Sequence, residues 1–141
     1  MGSYIILFKD LNSVTLKGGA SVRTDCLFAH KGEFILDLGA QCEAEMEVEI
    51  EKLIVEANTS VLMMSGKADS QDVLMTGTLG NCSYDAESLY TKTTQIEVTG
   101  AEAVVRASES IEATAVGGKI KCLGGAKVTE KSSFGGEIIK E

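Results

Sequence analysis

Apolar and polar residues trade places at every second position in short runs along this chain, and the runs end at small residues that return about every twenty positions. Val14-Thr15-Leu16, Leu36-Asp37-Leu38, Val55-Glu56-Ala57, Ile96-Glu97-Val98 and Ala113-Thr114-Ala115 are such runs. The small pairs are Gly18-Gly19, Gly39-Ala40, Thr59-Ser60, Leu79-Gly80, Gly100-Ala101, Gly117-Gly118 and Gly135-Gly136. A period of two belongs to a strand with one buried face. A fixed period of about twenty residues marks a repeat architecture, in which a unit buries its apolar face only by stacking on its neighbours.

Anchoring the register on Gly18, Ala40, Thr59, Leu79, Gly100, Gly117 and Gly135 aligns two columns. Two residues before the anchor stand Leu16, Leu38, Ala57, Gly77, Val98, Ala115 and Ser133; four before it stand Val14, Leu36, Val55, Met75, Ile96 and Ala113. Residues two apart share a face of a strand, so these columns form one inner wall, with Thr15, Asp37, Glu56, Glu97 and Thr114 pointing outward. The pattern predicts an all-β solenoid of about seven coils of roughly 20 residues, a rod some 30–35 Å long at a strand spacing of about 4.8 Å. Glycine suits the anchors because a tight corner calls for backbone conformations that a Cβ opposes.

The segment Ala44 to Ala57 supports two periods. Met46, Val48 and Ile50 alternate with Glu43, Glu45, Glu47, Glu49 and Glu51, yet Met46, Ile50, Leu53, Ile54 and Ala57 also fit a helical stripe. Strand is the assignment, because Val55 and Ala57 fall in the repeat columns and no capping residue opens a helix. The glutamates then make an acidic outer stripe. It reads either as a weak site for a cation or basic partner, carried by Glu45, Glu47 and Glu49, or as a solvated face that keeps an edge soluble.

Length and charge narrow the function classes. With 141 residues the expectation is one domain over 1–141, with 1–10 as an N-terminal cap or edge strand. A net charge of -8 is the wrong sign for neutralising phosphates, so nucleic acid is not an expected partner. No apolar run approaches the roughly 20 residues needed to span a bilayer. Tyr4 to Phe8 is also too short for a signal-peptide core, so an export signal is expected to have been removed or never to have existed. End coils expose unpaired backbone groups, which makes that run a candidate contact with another copy in a homo-oligomer.

Catalytic chemistry finds few carriers. Arg23 and Arg106 are the only arginines; Asp25, Asp37, Asp69, Asp72 and Asp85 have no spacing that assembles a ligand set; and His30, the only histidine, sits in a corner-like Ala29-His30-Lys31-Gly32 without an evident partner. The expectation is no enzyme, no metal and no cofactor. Cys42, Cys82 and Cys122 are forty residues apart, but they fall two, three and five residues after their anchors, which argues against a shared ladder. Residues two coils apart would in any case be near 9.6 Å, beyond the roughly 7 Å reach of a disulfide. Cys26 and Cys42, on adjacent coils, could pair, and no Cys-x-x-Cys motif supports a metal site. Tyr84 and Tyr90 are either an aromatic platform for sugars near a corner or ordinary packing.

From Tyr84 to Glu141 the chain resembles the auto-transporter adhesin head GIN domain family, common in Bacteroidetes. Ile96-Glu97-Val98-Thr99-Gly100-Ala101 matches its repeated apolar-x-apolar-(Ser/Thr)-Gly phrase. Ser110-Ile111-Glu112-Ala113, Gly117-Gly118, Lys121-Cys122-Leu123-Gly124-Gly125 and Phe134-Gly135-Gly136 match its closing steps, and Ser65-Gly66-Lys67-Ala68-Asp69 resembles its link between coils. Thr59 and Leu79 depart from it, standing where the family prefers glycine. The resemblance implies a right-handed single-stranded parallel β-helix, usually exported and often lipoprotein-anchored, with no catalytic residues to carry over. The expected function is therefore a non-catalytic extracytoplasmic binding or adhesion module at the cell surface or in the periplasm. Its partner is an unidentified surface ligand, polysaccharide among the classes to test. The rivals are a carbohydrate-active enzyme of pectin-lyase-like type and a structural spacer assembling through its ends.

Overall fold

A computed structural model describes residues 3–5, 13–16, 21–23, 27–39, 41–77, 82–133 and 135–140. The chain is all strand: β1 (Ser3–Ile5), β2 (Ser13–Leu16), β3 (Ser21–Arg23), β4 (Phe28–Leu38), β5 (Glu43–Asn58), β6 (Val61–Thr76), β7 (Ser83–Thr99), β8 (Glu102–Val116), β9 (Lys119–Leu123), β10 (Lys127–Ser133) and β11 (Glu137–Lys140). Every pairing is parallel, and the long strands β5 to β8 stack in sequence order. This is the stacked-coil solenoid that the twenty-residue period predicts.

One inner column runs Leu16, Leu38, Ala57, Met75, Val98, Ala115, and a second runs Leu36, Val55, Val73, Ile96, Ala113. The described residues make a solenoid of about six turns, one fewer than the seven coils expected. From Leu36 to Ala115 the members of both columns are buried, whereas Asp37, Glu56, Leu74 and Glu97 between them are exposed. Three of the predicted positions need correction. Gly77 and Met75 give way to Met75 and Val73, because the fourth corner is at Gly77 and not at Leu79. Residues 78–81 lie outside the described set; Cys82 follows Gly77 by five positions where Ser60 follows Thr59 by one, and counting twenty residues from Thr59 overshoots the corner. In the last coil the Cα partner of Ala115 is Ser132 and not Ser133.

Corner chemistry now accounts for both apparent departures from the repeat. Gly77 stacks between Thr59 and Gly100, and a Cβ on Gly100 would collide with the Gly77 carbonyl oxygen. Thr59 does occupy a corner without being glycine, at a left-handed φ of 47°. A β-branched residue there is strained.

The ambiguous segment is strand β5 throughout. Its alternation is interrupted once, at Glu51 and Lys52, both exposed. The bend there shifts the inward set from Met46, Val48, Ile50 to Leu53, Val55, Ala57, and the resulting three-residue step between Ile50 and Leu53 imitates helical spacing. In β6 the corresponding break falls at Asp69-Ser70, in register with Glu51 and Lys52, and the close approach of the two coils falls earlier, at Gly66. Gly66 adopts φ 110° against Val48, and any Cβ would overlap the Val48 carbonyl oxygen. The Ser-Gly-Lys-Ala-Asp motif thus marks a place where two coil backbones touch.

The cysteine register also needs correction. Backbone bonds from Val61 N–H to Cys42 O and from Ser83 N–H to Ser60 O place Cys42, Ser60 and Cys82 in one inward ladder. Corners of unequal length concealed it: Ser60 follows Thr59 directly, whereas Cys82 stands five residues after Gly77. Ser60 separates the two thiols by a full coil on each side, so they do not bond to each other, as the spacing argument expects. Cys26 lies outside the described residues, and with it the proposed Cys26–Cys42 pairing.

Candidate ligand-binding face

Among the described residues four polar side chains are buried in the core: Ser60, Gln71, Thr91 and Thr94. Three of them belong to one hydrogen-bonded chain. The Tyr84 hydroxyl donates to Gln71 Oε1 at 2.7 Å, Gln71 Nε2 donates to Thr94 Oγ1 at 3.1 Å, Thr94 and Thr91 share a bond of 2.8 Å, and the Thr91 hydroxyl donates to the Arg106 carbonyl at 2.6 Å. The chain crosses from β6 through β7 to β8, and no buried side-chain N or O is left without a partner among the described residues. Tyr84 is completely buried, and burial raises its hydroxyl pKa far above the usual phenol value, keeping it a neutral donor. It packs in the core and is no surface platform.

Thr91 faces inward, so its neighbours Tyr90 and Lys92 face outward. Tyr90 is 59% exposed, and the Arg106 guanidinium lies over its ring, 5.2 Å from the centroid. Arg106 is fixed at two further points: its Nε donates to the Glu87 carbonyl at 2.9 Å, and its own carbonyl holds the Thr91 hydroxyl. In the adjoining coil Lys67 stands in register with Tyr90, and Glu49 with Lys67, so Glu49, Lys67 and Tyr90 form one outward row along the rod. Around them is a shallow depression of about 370 Å³, floored by Ala68, Ala107 and Gly124 and rimmed by Lys67, Asp69, Lys92, Arg106 and Ser108. A pinned guanidinium, an accessible aromatic ring and two ammonium groups can bind a ligand without bond chemistry.

The acidic stripe is where alternation placed it. Glu43, Glu45, Glu47 and Glu49 are exposed along β5, with Arg23 of β3 opposite Glu45 and exposed Met63 on its other side. Of this group Glu49 alone shares a row with Tyr90. A second acidic region lies on the later half of the strands, in an open groove of about 500 Å³ lined by Glu56, Asp72, Glu97 and Glu112 together with Ile54, Leu74 and Gln95. Lys52 and Asp72 form an ion pair there at 3.7 Å, both about half exposed, and Gln95 Nε2 donates to Glu112 Oε2 at 2.9 Å. Among the described residues no group of three or more His, Cys, Asp and Glu side chains could hold a metal ion.

Of the residues expected to form a site, the structure leaves Tyr90, Glu45, Glu47 and Glu49 on the surface and removes Tyr84 from it. His30 pairs with Ile50 at the edge of a register shift that ends at Glu33, in keeping with a corner-like segment. Lys67, Lys92 and the pairing of Arg106 with Tyr90 were missed. Their signal is present in sequence only as outward positions of adjacent coils, which a misplaced corner between β6 and β7 prevents from aligning. No helix among the described residues is long and apolar enough to cross a membrane.

Residues 3–126 match the family model described as "Putative auto-transporter adhesin, head GIN domain". No curated protein and no solved structure matches the chain.

Proposed function

We propose, for a chain that belongs to the auto-transporter adhesin head GIN domain family, that it is a non-catalytic adhesion module outside the cell, holding a surface ligand on the outer face of a rigid β-solenoid. The family takes its name from adhesins and not from an enzyme, and an adhesin name implies a surface role. The observation that carries the reading is the Tyr90 depression: an exposed aromatic ring held under a pinned Arg106, on a strand paired in register with Lys67 of the adjoining coil. Such a face recognises by shape and charge, and repetition of the domain on a cell surface would multiply its weak contacts by raising effective concentration. Glycan-array binding by the purified chain tests this. Retention of defined glycans supports it, and silence across polysaccharides together with end-to-end association in solution sinks it in favour of a spacer.

One observation favours a second reading. The acidic groove brings Glu56, Asp72, Glu97 and Glu112 together with Lys52, the kind of outer cleft that carbohydrate-cleaving β-helices use. Against it, the lysine is already engaged by Asp72 and both groups stay half exposed, so no desolvated acid or base is poised for proton transfer. Release of reducing ends or unsaturated products from any array polysaccharide would establish the enzyme.

A further inference from the structure

We infer that the ligand class of the Tyr90 depression is an acidic saccharide, a sugar unit bearing a carboxylate or sulfate. The inference rests on the adhesion reading and sharpens it.

Charge is the first ground. The chain carries a net -8, yet Lys67, Lys92 and Arg106 converge on one depression whose only acid is Asp69. None of the three cations makes an ion pair among the described residues, whereas Lys52 is paired with Asp72 elsewhere. A local positive site on an acidic rod attracts an anionic group at short range and does not attract long polyanions from a distance.

Arg106 supplies the second ground. Its Nε is committed to the Glu87 carbonyl and its plane lies over Tyr90, which leaves the two terminal nitrogens as donors without a partner among the described residues. A guanidinium held this way has already lost the freedom that binding would remove, and its terminal fork matches an oxyanion bidentately. The pin reaches deep, because the Arg106 carbonyl is bonded to Thr91 at the end of the buried chain from Tyr84. Tyr90 supplies the third ground. Its ring keeps accessible surface beside that fork, and Ala68, Ala107 and Gly124 make a floor of small residues on which the C–H face of a sugar ring can lie. The volume of about 370 Å³ falls within the usual range for small-ligand pockets.

The test titrates the full chain with a short oligogalacturonate, and with a malto-oligosaccharide of equal length as the neutral control, reading binding by calorimetry and by amide shifts. The acidic ligand is expected to bind at least tenfold more tightly than the neutral one, and to weaken as salt rises. Arg106→Lys keeps the charge but loses the fork, and it should weaken binding at least tenfold; Tyr90→Ala should do the same, while Glu112→Gln in the acidic groove leaves it unchanged. Each variant is checked for an unaltered thermal midpoint, so that lost binding is not lost fold. Equal affinity for both sugars, indifference to Arg106→Lys and Tyr90→Ala, or no binding of oligogalacturonate at millimolar concentration overturns the proposal. If neutral glycans are nevertheless retained on the array, the adhesion reading stands without it; an array silent to every glycan removes both.

Discussion

Replacing Tyr84 with Phe removes one oxygen from the interior and tests the buried polar chain by pH. At neutral pH the variant leaves Gln71 Oε1 without the donor that now lies 2.7 Å away in a fully buried site. An unsatisfied buried acceptor costs about 1–3 kcal/mol, so Tyr84→Phe should be less stable than the parent by that amount. Burial raises the Tyr84 pKa in the folded chain, whereas the unfolded chain ionises near pH 10. Below about pH 10 both states hold the proton and the full contribution is present. Above it the unfolded state binds fewer protons than the folded one, and stability falls by about 1.4 kcal/mol per pH unit. The variant has no such group, and all other titrations are common to both proteins. The parent's advantage should therefore shrink from about pH 10 and vanish roughly one to two units higher. Urea denaturation of both proteins from pH 8 to 11.5 measures it. A gap that stays constant over that range refutes the burial argument, and a variant as stable as the parent at pH 8 refutes the hydrogen-bond argument.

Three further substitutions separate backbone strain from collision and from lost bonding. Gly66→Ala meets both a φ of 110° and the Val48 carbonyl, so it should lose more than about 3 kcal/mol or fail to fold, whereas Gly32→Ala, at φ 93° with open space around it, should lose only about 1–2 kcal/mol. Similar losses in urea would show that the close approach at Val48 is not what demands glycine. Thr59→Gly relieves a left-handed β-branched residue and should raise stability by up to about 1 kcal/mol after the added chain entropy, read as a higher thermal midpoint; a lower midpoint contradicts the strain. Ser60→Ala strips the acceptor from the buried Cys42 N–H, now 3.2 Å from Ser60 Oγ, and should cost about 1–3 kcal/mol by chemical denaturation. A loss under 0.5 kcal/mol, roughly that of an exposed site, would mean the amide finds another partner.

The stack itself was legible because its signal is written many times over. Leu36-Asp37-Leu38, Val55-Glu56-Ala57 and Ile96-Glu97-Val98 each repeat the same in-out-in phrase, and an error at one coil does not disturb the others. The interior polar chain was not legible, for a specific reason. A third inner column runs Phe34, Leu53, Gln71, Thr94, Ile111, six residues before each corner. With the corner set at Leu79, that place is filled by Val73 and the column looks apolar; with the corner at Gly77 it is filled by Gln71. The ladder of Cys42, Ser60 and Cys82 was hidden by corners of unequal length, which break any fixed offset from the anchors. Tyr90 could be named from its residue type, but Arg106 and Lys67 reach it from neighbouring coils, and periodicity alone does not say which outward positions meet when bends interrupt the alternation. Tyr84 and Tyr90 differ by an even number of residues, which for an unbroken strand puts them on one face; the phase break at Glu87 and Ser88 sends one inward and leaves the other outside.

The chain from Tyr84 to the Arg106 carbonyl has a mechanical consequence. Between apolar columns a coil could slide two residues along its neighbour and find leucine, valine or alanine again in every slot, so hydrophobic burial alone resists shear weakly. Gln71, Thr94 and Thr91 forbid that slide, because moving β7 past its neighbours would break the bonds from Tyr84 to Gln71, from Gln71 to Thr94 and from Thr91 to the Arg106 carbonyl together. Three consecutive coils are thereby riveted in one alignment. A tether that is pulled while it holds on needs such rivets where the load enters, and here the last of them is fastened to the residue that covers Tyr90.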